Sequence, residues 1–320
     1  MTKVTDVINR KKTFVSIEIT PPPRGIPIEK LFSSLEKILP YNPSFVNVTY
    51  HQPEMIRGFD RSGTATKRYV RKKPGTVGVC AAIQSRYNIE TIPHLICGGH
   101  DIYETEDALI DLNYLGFDNL FVVRGDAPDS KGVFYASPDG HRYASGLVKQ
   151  INCMNKGDYL HEIEYASPTD FCVGVAGYPE KHVEAVDMNE DINNLKKKVD
   201  SGAHYIITQM FFDFDAYCSF VERIREKGIT VPVIPGIKPL YTKGHLAQLP
   251  GVFNISIPDN FVKAVEDANT KKEAFKNGIR ETSKLVEKLL DYGAPGIHLF
   301  TMGKGRSCRA LLDSVFGGAL

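Results

Sequence analysis

The sequence predicts an α/β fold, a (β/α)8 TIM barrel forming a single domain over residues 1–320, and three observations carry that expectation. Short β-rich runs alternate with amphipathic helical patterns from end to end. Most of those runs are apolar throughout, as strands covered on both faces must be. No linker rich in proline, glycine or serine divides the chain.

The strand candidates are residues 13–19, 45–50, 93–97, 119–125, 172–178, 205–212, 231–237 and 296–302. Two further runs, 76–83 (TVGVCAAI) and 254–257 (NISI), also look strand-like. Between them, Ile28, Leu31, Phe32, Leu35 and Leu39 recur at helical spacing, and Thr105 is placed to cap a helix that buries Ala108, Leu109, Leu112 and Leu115. Tyr217, Phe220, Val221 and Ile224 mark another helix ended by Gly228, and Leu285, Val286, Leu289 and Leu290 mark one before Tyr292-Gly293. A doubly wound open sheet is the structural rival; eight repeated units favour closure.

Composition narrows the partners. Lysine plus arginine (39) nearly balances aspartate plus glutamate (38), which removes the electrostatic reason to expect a nucleic-acid or anionic-membrane partner. The polar start MTKVTDVINRKK lacks the apolar core of a signal peptide, and no apolar run is long enough to span a bilayer. The six cysteines are scattered without a CxxC pair, several inside apolar runs. The expectation is a cytoplasmic, reduced protein acting on small molecules, assembled as a homo-oligomer.

Active sites in such barrels lie at the carboxyl ends of the strands, and polar residues cluster there. Glu18 ends the first strand, Thr49 and Tyr50 the second, and Arg124-Gly125-Asp126 the fourth; Tyr178 ends the fifth, Gln209 lies in the sixth and Thr301 nears the end of the eighth. Strand alternation turns Val15, Ile17 and Ile19 one way and Ser16 and Glu18 the other. If the first set packs under helices, Glu18 faces the barrel mouth, where apolar surroundings would raise its pKa and let it donate a proton near neutrality. A structural glutamate bonded to a backbone amide or lysine is the equal alternative from position alone. In Arg124-Gly125-Asp126, a residue without a side chain lets backbone approach a flat ligand while Asp126 accepts hydrogen bonds, although an isolated Arg–Asp surface pair is the commoner case. In the helix 191–200, Ile192, Leu195 and Val199 form a buried stripe, and Asp191, Asn194 and Lys198, widened by Lys197, form a polar stripe suited to nucleotide hydroxyls and phosphates. A solvated face is the plainer reading of the same pattern.

His94, Cys97 and His100 have metal-like spacing, but two of them sit in an apolar strand and no other ligand clusters with them, so no metal is expected. Residues 303–307 (GKGRS) match neither GxGxxG nor GxxxxGK[ST]. No GxSxG elbow or Cys/His nucleophile pair is present.

Nine runs occur in order: SIEITPP (16–22), FVNVTY (45–50), HLIC (94–97), VVRGDAP (122–128), YASGLV (143–148), VGVAGYPEKHVEA (173–185), NLKKKVDSGAHYIITQMFFD (194–213), IPGIKP (234–239) and GIHLFT (296–301). Together they resemble the methylenetetrahydrofolate reductase catalytic barrel in its short, bacterial-type form. The resemblance implies noncovalent FAD in the barrel mouth and a ping-pong hydride relay through flavin N5. NADH or NADPH is the implied donor, and methylenetetrahydrofolate the acceptor whose methyl product feeds methionine synthesis. It implies Glu18 as general acid for opening the folate imidazolidine ring, and Asp126 as the aspartate beside flavin and pterin. Flavin contacts implied are Thr49, Tyr50, His94, Arg124, Gly125, Asp126, Tyr143, Ala144, Tyr178, His182, Asp191, Asn194, Lys197 and Lys198, with Gln209 touching both folate and nicotinamide.

Three departures from the family pattern stand out. His51-Gln52-Pro53-Glu54 replaces a glycine-led loop, Leu249 stands where some members carry a stacking aromatic, and Lys304 stands where an arginine would approach the folate glutamate tail, without its bidentate fork. Two rival functions keep parts of this reading: another FAD barrel oxidoreductase of proline-dehydrogenase type, and a folate- or flavin-binding protein without turnover.

Overall fold

A computed structural model describes residues 2–126 and 134–317, apart from the side chains of Met55, Lys67 and Tyr69; Ala127 and Pro128 of the 122–128 motif lie outside the described residues. Eight parallel strands close a barrel. In chain order they are β1 (Phe14–Ile19), β2 (Val46–Val48), β5 (Thr91–Ile96), β6 (Asn119–Val123), β7 (Cys172–Gly177), β8 (Tyr205–Met210), β9 (Val233–Ile237) and β10 (Gly296–Phe300). β10 closes on β1 in parallel, with Glu18 opposite Phe300. All eight predicted strands are present, most with trimmed ends, while the one expected at 93–97 begins earlier, at Thr91.

Two side-chain populations follow from the alternation. Val15, Ile17 and Ile19 join the large core between strands and helices, while Phe14, Phe45, Ile92, Phe121, Cys172, Tyr205, Ile207 and Ile234 pack together as the lower barrel interior. The first helix, α1 (Val4–Arg10), covers that interior with Val4 and Val7. Its first amide is tied to β6, where Val4 N donates to Asn119 Oδ1 at 2.9 Å. The barrel is thus filled below, which leaves the carboxyl ends of the strands to carry the site.

The first of the two further strand-like runs, 76–83, is instead the helix α3 (Thr76–Tyr87). Its buried residues Thr76, Val79, Cys80 and Ile83 fall at i, i+3, i+4 and i+7, a helical period that a short apolar run conceals. Residues 254–257 form no strand: Asn254 takes a left-handed conformation that ends α8 (Lys243–Phe253), and Pro258 follows. The helix α4 (Ile102–Tyr114) starts one turn before the expected cap: Asp101 and Glu104 form a reciprocal capping box, and Thr105 sits inside the helix, donating to the Asp101 carbonyl.

An antiparallel hairpin, β3 (Glu54–Phe59) and β4 (Ala65–Val70), was not anticipated. It stands off the mouth between β2 and α3 and carries polar residues on both faces, so it lacks the apolar alternation that marks a half-buried strand. Its turn is set by Asp60 Oδ1, which accepts from the amides of Ser62 and Thr64, and by Gly63 at φ +82°. The remaining helices that bear on the site are α2 (Glu29–Leu35), α5 (Ala144–Met154), α6 (Met188–Asp200), α7 (Phe214–Glu226), α9 (Asp259–Glu266), α10 (Lys271–Asp291) and α11 (Gly305–Phe316).

Candidate active site

Above the apolar lower interior lies a buried polar layer. Ser16, Asn47, His94 and His298 are each 5% exposed or less. Ser16 Oγ and His298 Nδ1 are hydrogen-bonded at 2.9 Å, as are Asn47 Nδ2 and His94 Nε2 at 3.2 Å. Burial pushes both histidines down to about 3, so both rings are neutral at physiological pH.

Glu18 sits directly over this layer. Its side chain is 17% exposed, and Oε2 lies 3.8 Å from His94 Nε2. Burial alone pushes its carboxyl up to about 8, because no cation stands close enough to hold it ionised. With His94 neutral and Glu18 protonated near pH 7, their approach is a contact of two uncharged groups rather than an ion pair. Thr301 anchors the strand end by donating to the Glu18 carbonyl from its amide and, at 2.8 Å, from its hydroxyl.

The second strand ends in a hydrogen-bonded rim. Thr49 Oγ1 meets His51 Nε2 at 3.0 Å, and the Tyr50 hydroxyl meets His100 Nε2 at 3.0 Å. Gln52 Nε2 donates to the Asp126 carbonyl at 2.9 Å, tying the departing loop to the Arg124-Gly125-Asp126 turn. That turn needs its glycine: Gly125 has φ +85°, and an added Cβ would press on the Ile96 side chain at 3.2 Å. Asp126 is exposed beside it.

Arg124 forms a two-pronged ion pair with Glu184 (2.5 and 2.6 Å) and lies over the Phe134 ring at 4.9 Å. Tyr178 and His182 meet edge-on at 4.8 Å, and Lys198 stands 5.8 Å over the Tyr178 ring. Asp191 is buried on the first turn of α6 and accepts from the His182 amide at 3.2 Å. Lys198 is pushed down to about 8 by burial, against the opposing pull of Asp191. The helix begins at Met188 behind the cap Asp187, one turn before the motif. Asn194 and Lys197 are exposed next to this pair, with Lys197 Nζ donating to Asn194 Oδ1 at 3.2 Å. Buried Asp191, half-buried Lys198, whose Nζ donates to the Ala176 carbonyl, and exposed Asn194 and Lys197 offer donors and acceptors that suit ribityl or ribose hydroxyls and phosphate oxygens, so these residues fit a flavin nucleotide.

Other expected site residues are more scattered. Tyr143 (57% exposed) caps α5, and Ala144 is buried at its start. Gln209 is half-buried where β8 shifts register against β9, its Oε1 accepting from the Met210 amide. Leu249 is 5% exposed and packed in the hydrophobic core instead of presenting an open stacking face. Lys304 is exposed beyond β10. Sequence alone does not single out Asn47, His298, Glu184, Lys238 or His245, and marks Gln52 only as part of a departing loop. For Asn47 and His298 a signal existed: each is a polar residue on the inward alternation of an apolar run.

Eight parallel strands closed into a barrel, with polar side chains gathered at their carboxyl ends, define a (β/α)8 barrel. Residues 3–315 match the family model described as methylenetetrahydrofolate reductase, and the chain belongs to that family. It is 30% identical over 305 residues to the 5,10-methylenetetrahydrofolate reductase of Escherichia coli K12, covering 94% of this chain and 90% of that one. It is 29% identical over 320 residues to methylenetetrahydrofolate reductase (NADH) 1 of Arabidopsis thaliana, covering 97% of this chain and 49% of the plant protein. The chain thus spans about half the length of that plant relative. Among solved structures, an uncharacterized Clostridium thermocellum protein that binds two copies of 5-methyl-5,6,7,8-tetrahydrofolic acid aligns with a TM-score of 0.57 at 15% identity, covering 97% of this chain and 96% of that one. That likeness is one of fold. Among the described residues no helix is long and apolar enough to cross a membrane.

Proposed function

We propose that this barrel reduces 5,10-methylenetetrahydrofolate to 5-methyltetrahydrofolate, with NADH or NADPH as reductant and noncovalent FAD as cofactor. The observation that carries the reading is Glu18, a carboxyl kept protonated near neutrality at the barrel mouth. Ring opening of the folate breaks a carbon–nitrogen bond whose electron pair stays on the nitrogen, a poor leaving group unless protonated. Glu18 supplies that proton and is left as carboxylate, to be reprotonated from solvent through its 17% exposed edge. The neutral Asn47–His94 pair beneath it donates no competing charge, which keeps the acid's pKa high.

The other residues bind and orient. Bound at the rim, the flavin would take a hydride from the nicotinamide and supply it to the opened folate. Asp126 places a negative charge where the folate becomes cationic. Arg124, Gly125, Tyr178, His182, Asp191, Asn194, Lys197 and Lys198 form the cradle, joined by Thr49, Tyr50, His94, Tyr143 and Ala144. Gln209 and Lys304 are assigned to the substrate side, whereas Leu249, packed in the core, offers the substrate no open face. The folate bound by the structurally similar Clostridium thermocellum protein supports the same substrate class.

The test is anaerobic. Purified protein loaded with FAD should lose its visible flavin band on adding NADH or NADPH and regain it on adding methylenetetrahydrofolate. Loss of the band on adding proline, with no loss on adding NADH or NADPH, would favour the proline-dehydrogenase type. Protein that neither binds FAD nor gains thermal stability from it would exclude both enzyme readings.

A further inference from the structure

Lys238 follows β9 directly and is 7% exposed. Among the described residues its ammonium has no hydrogen bond and no ion pair. Two of its electrostatic neighbours are a second lysine and a thiol: Lys304, at the N-cap of α11, and Cys308, within that helix. Burial holds the Cys308 thiol up at about 12, so it stays neutral and serves as no counter-ion. His245, on the first turn of α8, is held down at about 4 by burial and then by the charges of Lys238 and Lys304. Burial first lowers Lys238 as well, and the neighbouring charge of Lys304 adds to it.

A nearly buried cation that faces another cation and no anion is expensive for a protein to keep. The position is informative too. β9 and β10 are the seventh and eighth barrel strands, and loops after those strands, with the N-terminus of a following helix, are where such barrels hold anionic groups. The seat lies at the carboxyl end of β9, separated from Glu18 on β1 by β10.

We propose that Lys238 is a specificity-determining residue which, with Lys304 and His245, seats a carboxylate of the substrate's tail at the β9–β10 side of the mouth. This rests on the folate reading above, in which the glutamate moiety supplies the carboxylate. Lys304 alone is an exposed point charge; Lys238 adds a largely desolvated one, and a charge-assisted bond in that setting is the stronger of the two.

The test uses glutarate, a dicarboxylate, as a probe of the seat, in thermal melts at matched ionic strength. Wild-type Tm should rise with glutarate, Lys238→Met should lose the rise, and Lys238→Arg should keep part of it. Without ligand, Lys238→Met should melt no lower than wild type, because it removes an uncompensated buried charge while conserving volume. In turnover, Lys238→Met should raise KM for the glutamyl folate by about tenfold, the weight of one charged hydrogen bond, and leave KM for a tail-less pteroate analogue unmoved. Lys304→Met, at an exposed position, should show a smaller change of the same kind. Equal glutarate shifts in wild type and Lys238→Met, no shift in either, or equal KM changes for both substrates would overturn the proposal. A wild type that responds to glutarate yet turns over no folate would sink the function and leave the seat standing.

Discussion

Glu18→Gln should divide the catalytic cycle in two. Oxidation of NADH or NADPH by an artificial acceptor such as menadione should continue near the wild-type rate, because loading the flavin needs no proton from this position. Reduction of methylenetetrahydrofolate should fall by about 10² to 10⁴, the usual contribution of a positioned general acid. Glutamine keeps the size and hydrogen-bonding shape of the protonated carboxyl over His94 but has no acidic proton to give. Single-turnover kinetics of the two half-reactions check this. Equal loss in both would show that Glu18 positions the cofactor instead. The same substitution has a stability signature. Glu18 is raised in the folded state from an ordinary 4.5 to about 8. Its contribution to stability is therefore complete below about 4.5 and is lost as pH rises through 8. The variant should gain stability relative to wild type across that window.

Gly278→Ala should destabilise the barrel by about 1–3 kcal/mol, against the helix-propensity rule that would make it stabilising by about 1. Gly278 lies inside α10, and an added Cβ would fall 2.0 Å from the Leu240 carbonyl oxygen and 2.9 Å from the Tyr241 Cα. Both clashing atoms are backbone, so no side-chain rotation relieves them. The segment pushed aside begins two residues after Lys238 and leads into α8, so the loss reaches the substrate rim as well as the core. A thermal melt should show Tm lowered by roughly 5 °C. A Tm equal to or above wild type would mean that the loop is free to retreat.

Much of this architecture was legible because parallel barrel strands are covered on both faces and so read as apolar runs. Glu18 was placed by alternation alone: once Val15, Ile17 and Ile19 belong under helices, Glu18 has only the interior to face. Runs that are apolar for another reason misled the same argument. Residues 76–83 are apolar because one helix face is buried, and 254–257 because a loop drops Ile255 into the core. The hairpin was invisible for the opposite reason, since two exposed faces leave no hydrophobic period to detect. Thr105 was mistaken for a cap because Asp101, the true one, lies in the loop that precedes the apolar repeat.

The site was partly legible for similar reasons. The polar stripe of α6 could be written down from spacing, but the bond of Asp191 to the His182 amide and the seat of Lys198 over the Tyr178 ring are tertiary facts. Lys238 is the clearest case of what a sequence withholds. A lysine ending an apolar strand reads as solvated, and only the packing of α8 and α11 around it shows that among the described residues it meets no anion.

The central claim is that Glu18 delivers the proton that opens the folate ring. The most direct measurement is the pH dependence of single-turnover oxidation of the pre-reduced, flavin-loaded protein by methylenetetrahydrofolate, in wild type and in Glu18→Gln. The rate in wild type should be level below about 8 and fall about tenfold per pH unit above it, as Glu18 loses its proton. The residual rate in the variant should show no such limb. A wild-type limb placed near the ordinary carboxylate range, or one that survives in Glu18→Gln, would contradict the assignment.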